Sequence, residues 1–409
     1  MIIESKNCRL CGGSISEITY LCDSPPANNF DETFIKNKER QTFPLILDFC
    51  SNCCNLQLRH CLGEGLLYSD YTYITPKSPT MDAHYSMLCN YAKENLSKLY
   101  SADVVEIGSN SGDLLAFLKP YVLSVLGVDP ASNIAKLANG NGIETLNSFF
   151  NQDIAEEVTY LKKNIQLVIA RHMFAHNSDP SELLRGMKKL INKNGIVMIE
   201  NAYAIDTLIH GEFDQVYHEH MFFYSVTSML NLLRIHGLYL NDILFSDVHG
   251  GSIVFIASLS KKQKSQILID QLSKESELFE DGKVFRIFEE KINQVKKYIT
   301  NKIKDAQKNE KNIIAYGAPA KAFTMFSMLE LDNKTIRYCV DTTPTKIGKV
   351  FPIFNIPIIS EEELQNKDYD VVLVTSWNYK EDILKKSKNI FKPGTTLLFP
   401  LPVPTEIIV

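Results

Sequence analysis

No run of about 18 apolar residues occurs in the chain, so no membrane-spanning helix and no membrane partner are expected. Basic runs are equally missing. Lys and Arg number 43 against 48 Asp and Glu, a formal net charge of −5, which argues against a nucleic-acid partner. The opening MIIESKNCRLCGG has no basic stretch followed by an apolar one; no secretory signal is expected, and the expected compartment is the cytoplasm. Low-complexity tracts and short repeats are absent. With 45% hydrophobic and 22% charged residues, the 409-residue chain has the material for full cores, in two or three domains.

Five of the nine cysteines lie at 8, 11, 50, 53 and 54. Two CxxC pairs in a chain expected to meet a reducing compartment point to metal rather than disulfides. Cys8 with Cys11, and Cys50 with Cys53, can each clamp one edge of a tetrahedral Zn²⁺, and Gly12 and Gly13 suit a tight zinc-knuckle turn. Four thiolates leave no open position for water, so the metal is assigned a structural role in a small, loop-rich module. Cys54 and Cys61 are read as bystanders.

Downstream, apolar spacing of three and four predicts a helix over 80–100. Strand signals then alternate with helical stretches: VVEIG (104–108), VLGVD (125–129), LVIA (167–170) and IVMIE (196–200), the pattern of a parallel α/β sheet. Residues 260–311 are rich in Lys and Glu and lack proline, which reads as solvent-faced helices acting as a connector. A second alternation follows, NIIAYGA (312–318), TIRYCVD (335–341) and VVLVTSW (371–377), and predicts a second, smaller doubly wound sheet.

Between VVEIG and an apolar helical stretch lies Glu106-Ile-Gly108-Ser-Asn110-Ser-Gly112. Such a strand-to-helix turn lets backbone approach a ligand at a helix N-terminus. Its form is similar to the first motif of S-adenosylmethionine (SAM) methyltransferases, E/D-x-G-x-G-x-G, with Asn110 in place of the middle glycine. Asp129, at the end of the next strand, is positioned to accept ribose hydroxyls. Dinucleotide binding is the main competitor.

Asp214-Gln-Val-Tyr217-His218-Glu219-His220 packs two histidines, a tyrosine and a carboxylate into four residues. In an extended segment Tyr217 and Glu219 would face one side, and His218 and His220 the other. His176, after the strand LVIA, is expected at the carboxyl edge of the sheet, where open parallel sheets bind ligands.

Taken together, these blocks resemble the sugar C-methyltransferases that act on nucleotide-linked 4-keto-deoxysugars. They comprise the CxxC pairs with Tyr71-Thr-Tyr73, the turn 106–112 with Asp129, Phe174-Ala-His176, Tyr217-His-Glu-His220 and His249-Gly-Gly-Ser252. The carboxyl-terminal members are Tyr316-Gly-Ala-Pro-Ala-Lys321, Val340-Asp341 with Lys346, and Ser376-Trp377-Asn378. The resemblance implies an α/β protein: a zinc-binding module (1–75), a central SAM-methyltransferase Rossmann-like domain (76–259), a helical connector (260–311) and a carboxyl-terminal Rossmann-like lobe (312–409). That lobe would hold the sugar nucleotide.

By the same resemblance, Tyr217, Glu219, His220, His176 and Tyr73 (Tyr71 in reserve) are catalytic. Glu106, Gly108, Asn110, Gly112 and Asp129 would bind SAM, while Lys321 and Trp377 would bind the nucleotide-linked keto-deoxysugar. The expected chemistry is proton removal at C3 by His220, then carbon methylation, in a monomer or weak homodimer. Glu219 would support His220 only if the backbone turned. Arg171-His172 departs from the more usual pair of asparagines. An O-methyltransferase and a nicotinamide-dependent sugar-nucleotide oxidoreductase are the competing readings.

Overall fold

The computed structural model describes residues 2–32, 41–63, 75 and 78–409. Tyr71 and Tyr73 lie outside the described residues. The central sheet has seven strands in the order Tyr239–Ser246, Ser252–Ser258, Ile196–Ala202, Ile165–Arg171, Asp103–Ile107, Ser124–Asp129 and Thr145–Asn147. Only Ser252–Ser258 runs against the other six. Every residue of Asp103–Ile107 is buried, including Asp103 and Glu106, as in a strand at the middle of a sheet covered on both faces. All four predicted central strands form here.

The carboxyl-terminal sheet also has seven strands. Its parallel middle is Ile356–Ile359, Cys339–Val340, Ile313–Tyr316, Val371–Val374 and Thr396–Phe399, with an antiparallel strand at each edge. The α/β class read from the alternation therefore holds in both halves.

The helices after residue 260, expected to be solvent-faced, do more than connect. Lys283–Lys308 buries Val284, Phe288, Ile292, Val295, Ile299, Ile303 and Ala306, spaced by threes and fours, and turns its Lys and Glu outward. That stripe joins one core with Ile313, Val371 and Leu397 of the carboxyl-terminal sheet and with Leu45 and Leu56 of the amino-terminal module. The charge count concealed the stripe because a helix needs only one apolar face to dock.

The amino-terminal sheet contains Ser16–Ser24, Phe43–Cys50 and Asn55–Leu58, and its fourth strand is Phe222–Phe223 from the middle of the chain. Asp31 pairs with Val350 of the carboxyl-terminal lobe, and Phe30 packs 5.2 Å from Phe323 and 5.0 Å from Phe351. Three segments distant in sequence thus meet around residues 213–223. Among the described residues no helix is long and apolar enough to cross a membrane.

Candidate active site

The four-cysteine cluster forms at the amino terminus. Sγ of Cys8 lies 3.6 Å from Sγ of Cys53, and Sγ of Cys11 lies 3.6 Å from Sγ of Cys50. All four ligand atoms fall within 4.8 Å of one another. A tetrahedron with metal–sulfur bonds of about 2.3 Å has edges of about 3.8 Å, so the tetrad fits a Zn²⁺-sized ion. The amides of Asn52 and Asn55 donate toward Cys11 and Cys8 at 3.4 and 3.5 Å, as donors around a thiolate centre do. Gly12, at φ 73°, takes the left-handed position of the knuckle.

Arg9, between the first two ligands, carries the module into the rest of the protein. Its guanidinium donates to Leu58 O at 2.7 Å and Met221 O at 3.0 Å, contacts Cys61 Sγ at 2.5 Å, and lies 4.3 Å from the Phe222 ring centroid. Cys61 is therefore Arg9's partner.

At the carboxyl edge of the central sheet, the turn 106–112 bends through three left-handed residues: Gly108 (φ 68°), Asn110 (φ 49°) and Gly112 (φ 78°). Asparagine tolerates that region better than other side chains, which explains how Asn110 substitutes for a glycine. A Cβ at Gly108 would fall 2.7 Å from Met173 Cγ, and one at Gly112 would fall 2.9 Å from Ile143 Cγ2. Both glycines thus admit close side-chain packing as well as the turn itself. Asn110 Oδ1 accepts from the N–H groups of Thr75 and Ser111, and Asp129 accepts from those of Asn110 (2.9 Å) and Ala131 (3.0 Å).

Glu106 is fully buried beneath the turn. Its Oε1 accepts from Arg171 Nε at 2.8 Å, while Oε2 and the neighbouring Ser109 Oγ are buried with no hydrogen-bond partner among the described residues. Two orphaned polar atoms under a left-handed turn are what a cradle for a polar cofactor presents. Behind them runs a charged network that spacing alone did not reveal. Glu200 bonds His84 Nε2 at 3.0 Å, lies 3.4 Å from His172 Nε2, and shares the field of Arg171. Burial works to raise Glu200, but His172 and His84 outweigh it and hold the carboxyl well below the ordinary range. Burial pushes Glu106 up despite Arg171.

Residues 217–220 are turned rather than extended: the His220 N–H donates to Tyr217 O at 2.9 Å. The turn brings Tyr217 and His220 together, with Tyr217 Oη 2.7 Å from His220 Nε2. His220 Nδ1 lies 2.8 Å from Gln215 O. A carbonyl can only accept, so Nδ1 carries a proton, and in the neutral ring Nε2 offers a lone pair to the tyrosine hydroxyl. His218 points elsewhere, buried and edge-on to Phe43 at 5.8 Å.

His176 caps the opposite side, its ring 5.0 Å from that of His220. Glu219 accepts from Asn28 Nδ2 at 2.9 Å and lies 3.9 Å from His176 Nδ1. An ion pair would lower the carboxyl and raise the imidazole. Instead burial dominates both, pushing Glu219 up to about 7 and His176 down to about 4, the latter with help from His172. Near neutral pH His176 is uncharged and Glu219 is poised to hold or release a proton.

The carboxyl-terminal lobe reaches the same turn. Lys321 Nζ sits 3.8 Å from the Trp377 ring centroid, and the indole N–H donates to Asp214 Oδ2 at 2.6 Å. Burial pushes Lys321 down and Asp214 up to about 6, each partly offset by the other.

Comparison with known proteins gives the family. The profile of the family described as "C-methyltransferase C-terminal domain" matches residues 247–402, and that described as "Methyltransferase domain" matches residues 83–242. C-methyltransferase NovU of Streptomyces niveus is 30% identical over 404 residues, 98% of this chain and 96% of that protein. The chain belongs to the C-methyltransferase family.

Two further similar proteins match only part of this C-methyltransferase. The uncharacterized methyltransferase YcgJ of Bacillus subtilis (strain 168) is 24% identical over 114 residues, 27% of this chain and 44% of that protein. Magnesium protoporphyrin IX methyltransferase (ChlM) from Synechocystis PCC 6803, solved with bound SAH, is 14% identical, covers 44% of this chain and 84% of that one, and has a TM-score of 0.35. So remote a likeness does not bear on the site.

The C-methyltransferase fold brings Tyr217, His220, His176 and Glu219 into one cluster. Lys321 and Trp377 lie buried behind it, and Glu106, Gly108, Asn110, Gly112 and Asp129 form the adjoining turn. Glu219 is turned toward Asn28 and His176 rather than bonded to the His220 ring. Sequence reasoning gave no role to Asn28, Asp214, Gln215 or Glu200, and Arg171 entered it only as a departure from the family pattern. Glu200 carried a signal as the acid that ends the apolar run IVMIE.

Proposed function

We propose that this C-methyltransferase moves the methyl group of SAM to C3 of a nucleotide-linked 4-keto-deoxysugar. The observation that carries the reading is the His220 imidazole held between two groups, Nδ1 2.8 Å from Gln215 O and Nε2 2.7 Å from Tyr217 Oη, beside a turn with orphaned polar atoms.

SAM, when bound, supplies an electrophilic methyl carbon. Glu106, Ser109, Asn110 and Asp129 would hold it, with Gly108 and Gly112 admitting the turn. A carbon nucleophile requires loss of a proton, and the position next to a ketone is the acidic one. His220 Nε2 removes that proton, and Tyr217 shifts its hydroxyl from Nε2 to the developing enolate oxygen. One such donor typically lowers the barrier by about 3 kcal/mol. His176, neutral, is a second donor. Its ring lies between His220 and Glu219, so the proton taken by His220 passes by way of His176 to Glu219, which Asn28 holds. Tyr73 is assigned as a further donor on the family resemblance alone. The buried walls exclude water, and the lobe carrying Lys321 and Trp377 receives the nucleotide end. Zn²⁺, held by Cys8, Cys11, Cys50 and Cys53, would be structural and would fix Arg9, and through it the strand after His220.

The test is product analysis. The protein is incubated with SAM and a panel of nucleotide-linked 4-keto-deoxysugars, and the product is read by mass and NMR. A new C–CH₃ singlet on a quaternary C3 is expected; an O–CH₃ resonance, or no methylated product across the panel, rejects the proposal.

A further inference from the structure

The short helix Phe213–Gln215 precedes the catalytic turn, and side chains from the carboxyl-terminal lobe grip it on both sides of Gln215. On one side Trp377 Nε1 donates to Asp214 Oδ2 at 2.6 Å. On the other, Thr324 Oγ1 donates to Val216 O at 2.8 Å. Lys321 covers the indole face at 3.8 Å and faces Asp214 and Glu212 electrostatically. Gly250, at φ 93°, closes over the ring edge, where a Cβ would lie 3.1 Å from the indole. Trp377, Asp214 and Thr324 are all buried, so these bonds are shielded from competing water. Between the two grips lies the Gln215 carbonyl, the acceptor for His220 Nδ1 at 2.8 Å.

This arrangement has a chemical consequence. A neutral imidazole carries one ring proton, and the hydrogen bond at one nitrogen decides which nitrogen is the base. If the Gln215 carbonyl moves, the bond that favours the proton on Nδ1 is weakened, and the Nε2–H form can then donate back to Tyr217. We propose that Trp377 and Asp214 are positioning residues for His220. Their indole–carboxylate bond fixes the Gln215 carbonyl, and through it the Nδ1–H tautomer that leaves Nε2 basic. This rests on His220 being the base, and it gives the carboxyl-terminal lobe a role in catalysis beyond any contact with the nucleotide. An indole that served only to fill space would be replaced by phenylalanine without consequence for the imidazole.

The experiment uses the full-length protein labelled with ¹⁵N-histidine. Long-range ¹H–¹⁵N correlation reads the protonation of each ring nitrogen, with His220 assigned by loss of its signals in His220→Asn. Wild type is expected in the Nδ1–H form. Trp377→Phe should shift the tautomer ratio by at least about fivefold toward Nε2–H, the change one hydrogen bond supports. Asp214→Asn, whose amide oxygen still accepts from the indole, should return the wild-type pattern. Should Trp377→Phe not fold, Asp214→Leu breaks the same bond from the other side and is expected to shift the ratio likewise. S-adenosylhomocysteine affinity within about twofold of wild type checks that the cofactor turn is intact.

A His220 pattern unchanged in both Trp377→Phe and Asp214→Leu overturns the proposal, as does a wild type found in the Nε2–H form. Because the readout needs no acceptor sugar, it stands or falls separately from the product analysis: a tautomer that shifts as expected in a protein that methylates no keto-sugar supports the latch and rejects the function.

Discussion

Glu219→Gln separates catalytic design from stability. Glu219 is buried, and burial moves its carboxyl from an ordinary 4.5 to about 7, which corresponds to about 3 kcal/mol between its two protonation states. The native state binds this proton more tightly than the unfolded chain. The associated stability is therefore complete below pH 4.5 and lost as pH rises to 7. His176 runs the other way. Depressed from 6.5 to about 4, it binds its proton less tightly when folded, so pH rising from 4 to 6.5 adds about 3 kcal/mol. In wild type the two trends nearly cancel between pH 4.5 and 6.5.

Glutamine keeps an oxygen to accept from Asn28 but carries no proton to lose, so the variant uncovers the rise due to His176. Urea midpoints at matched pH, converted with a common slope, should coincide at pH 4 and favour the variant by about 3 kcal/mol at pH 8. Turnover should fall in the same protein. A stability difference that is constant between pH 4 and 8, or a variant less stable than wild type at pH 8, would refute the buried-acid reasoning.

Other consequences are equally direct. His220→Ala should reduce methyl transfer to background while SAM binding by calorimetry stays near wild type; wild-type-like turnover would remove the base assignment. Cys50→Ser should lower the metal content measured by plasma mass spectrometry from one zinc per chain; if the content is unchanged, the tetrad is not the binding site. Arg171→Met leaves Glu106 without its ion-pair partner in a fully buried setting and should destabilise the protein by about 3–5 kcal/mol at pH 8, less at pH 5 where the carboxyl can take up a proton. An equal loss at both pH values would count against the network.

Local sequence was most informative where chemistry is local. The turn 106–112 could be read because left-handed backbone restricts its residues to glycine and asparagine within seven positions. The cysteine pairs could be read because two residues are the spacing that turns both sulfurs inward. The buried strands of both sheets announced themselves as unbroken apolar runs. By contrast, the seven apolar residues of Lys283–Lys308 were diluted among Lys and Glu, and only docking showed that they belong to a core.

The side chains of the candidate site were nearly all in view, but their orientation was not. An extended reading of 217–220 separates Tyr217 from His220, whereas the turn joins them. That turn depends on Phe222–Phe223 completing a sheet whose other strands lie more than 160 residues earlier, and on Arg9 holding Met221 O. Asn28 reaches Glu219 from 191 positions away, and Trp377 reaches Asp214 across 163.

Sequence alone thus determined the classes of chemistry available: thiolates for a metal, a turn for a polar cofactor, and an imidazole beside a phenol. Tertiary structure decided which nitrogen of that imidazole is basic and which acid keeps its proton. Both depend on burial and on single hydrogen bonds between segments that only the completed fold brings within 3 Å.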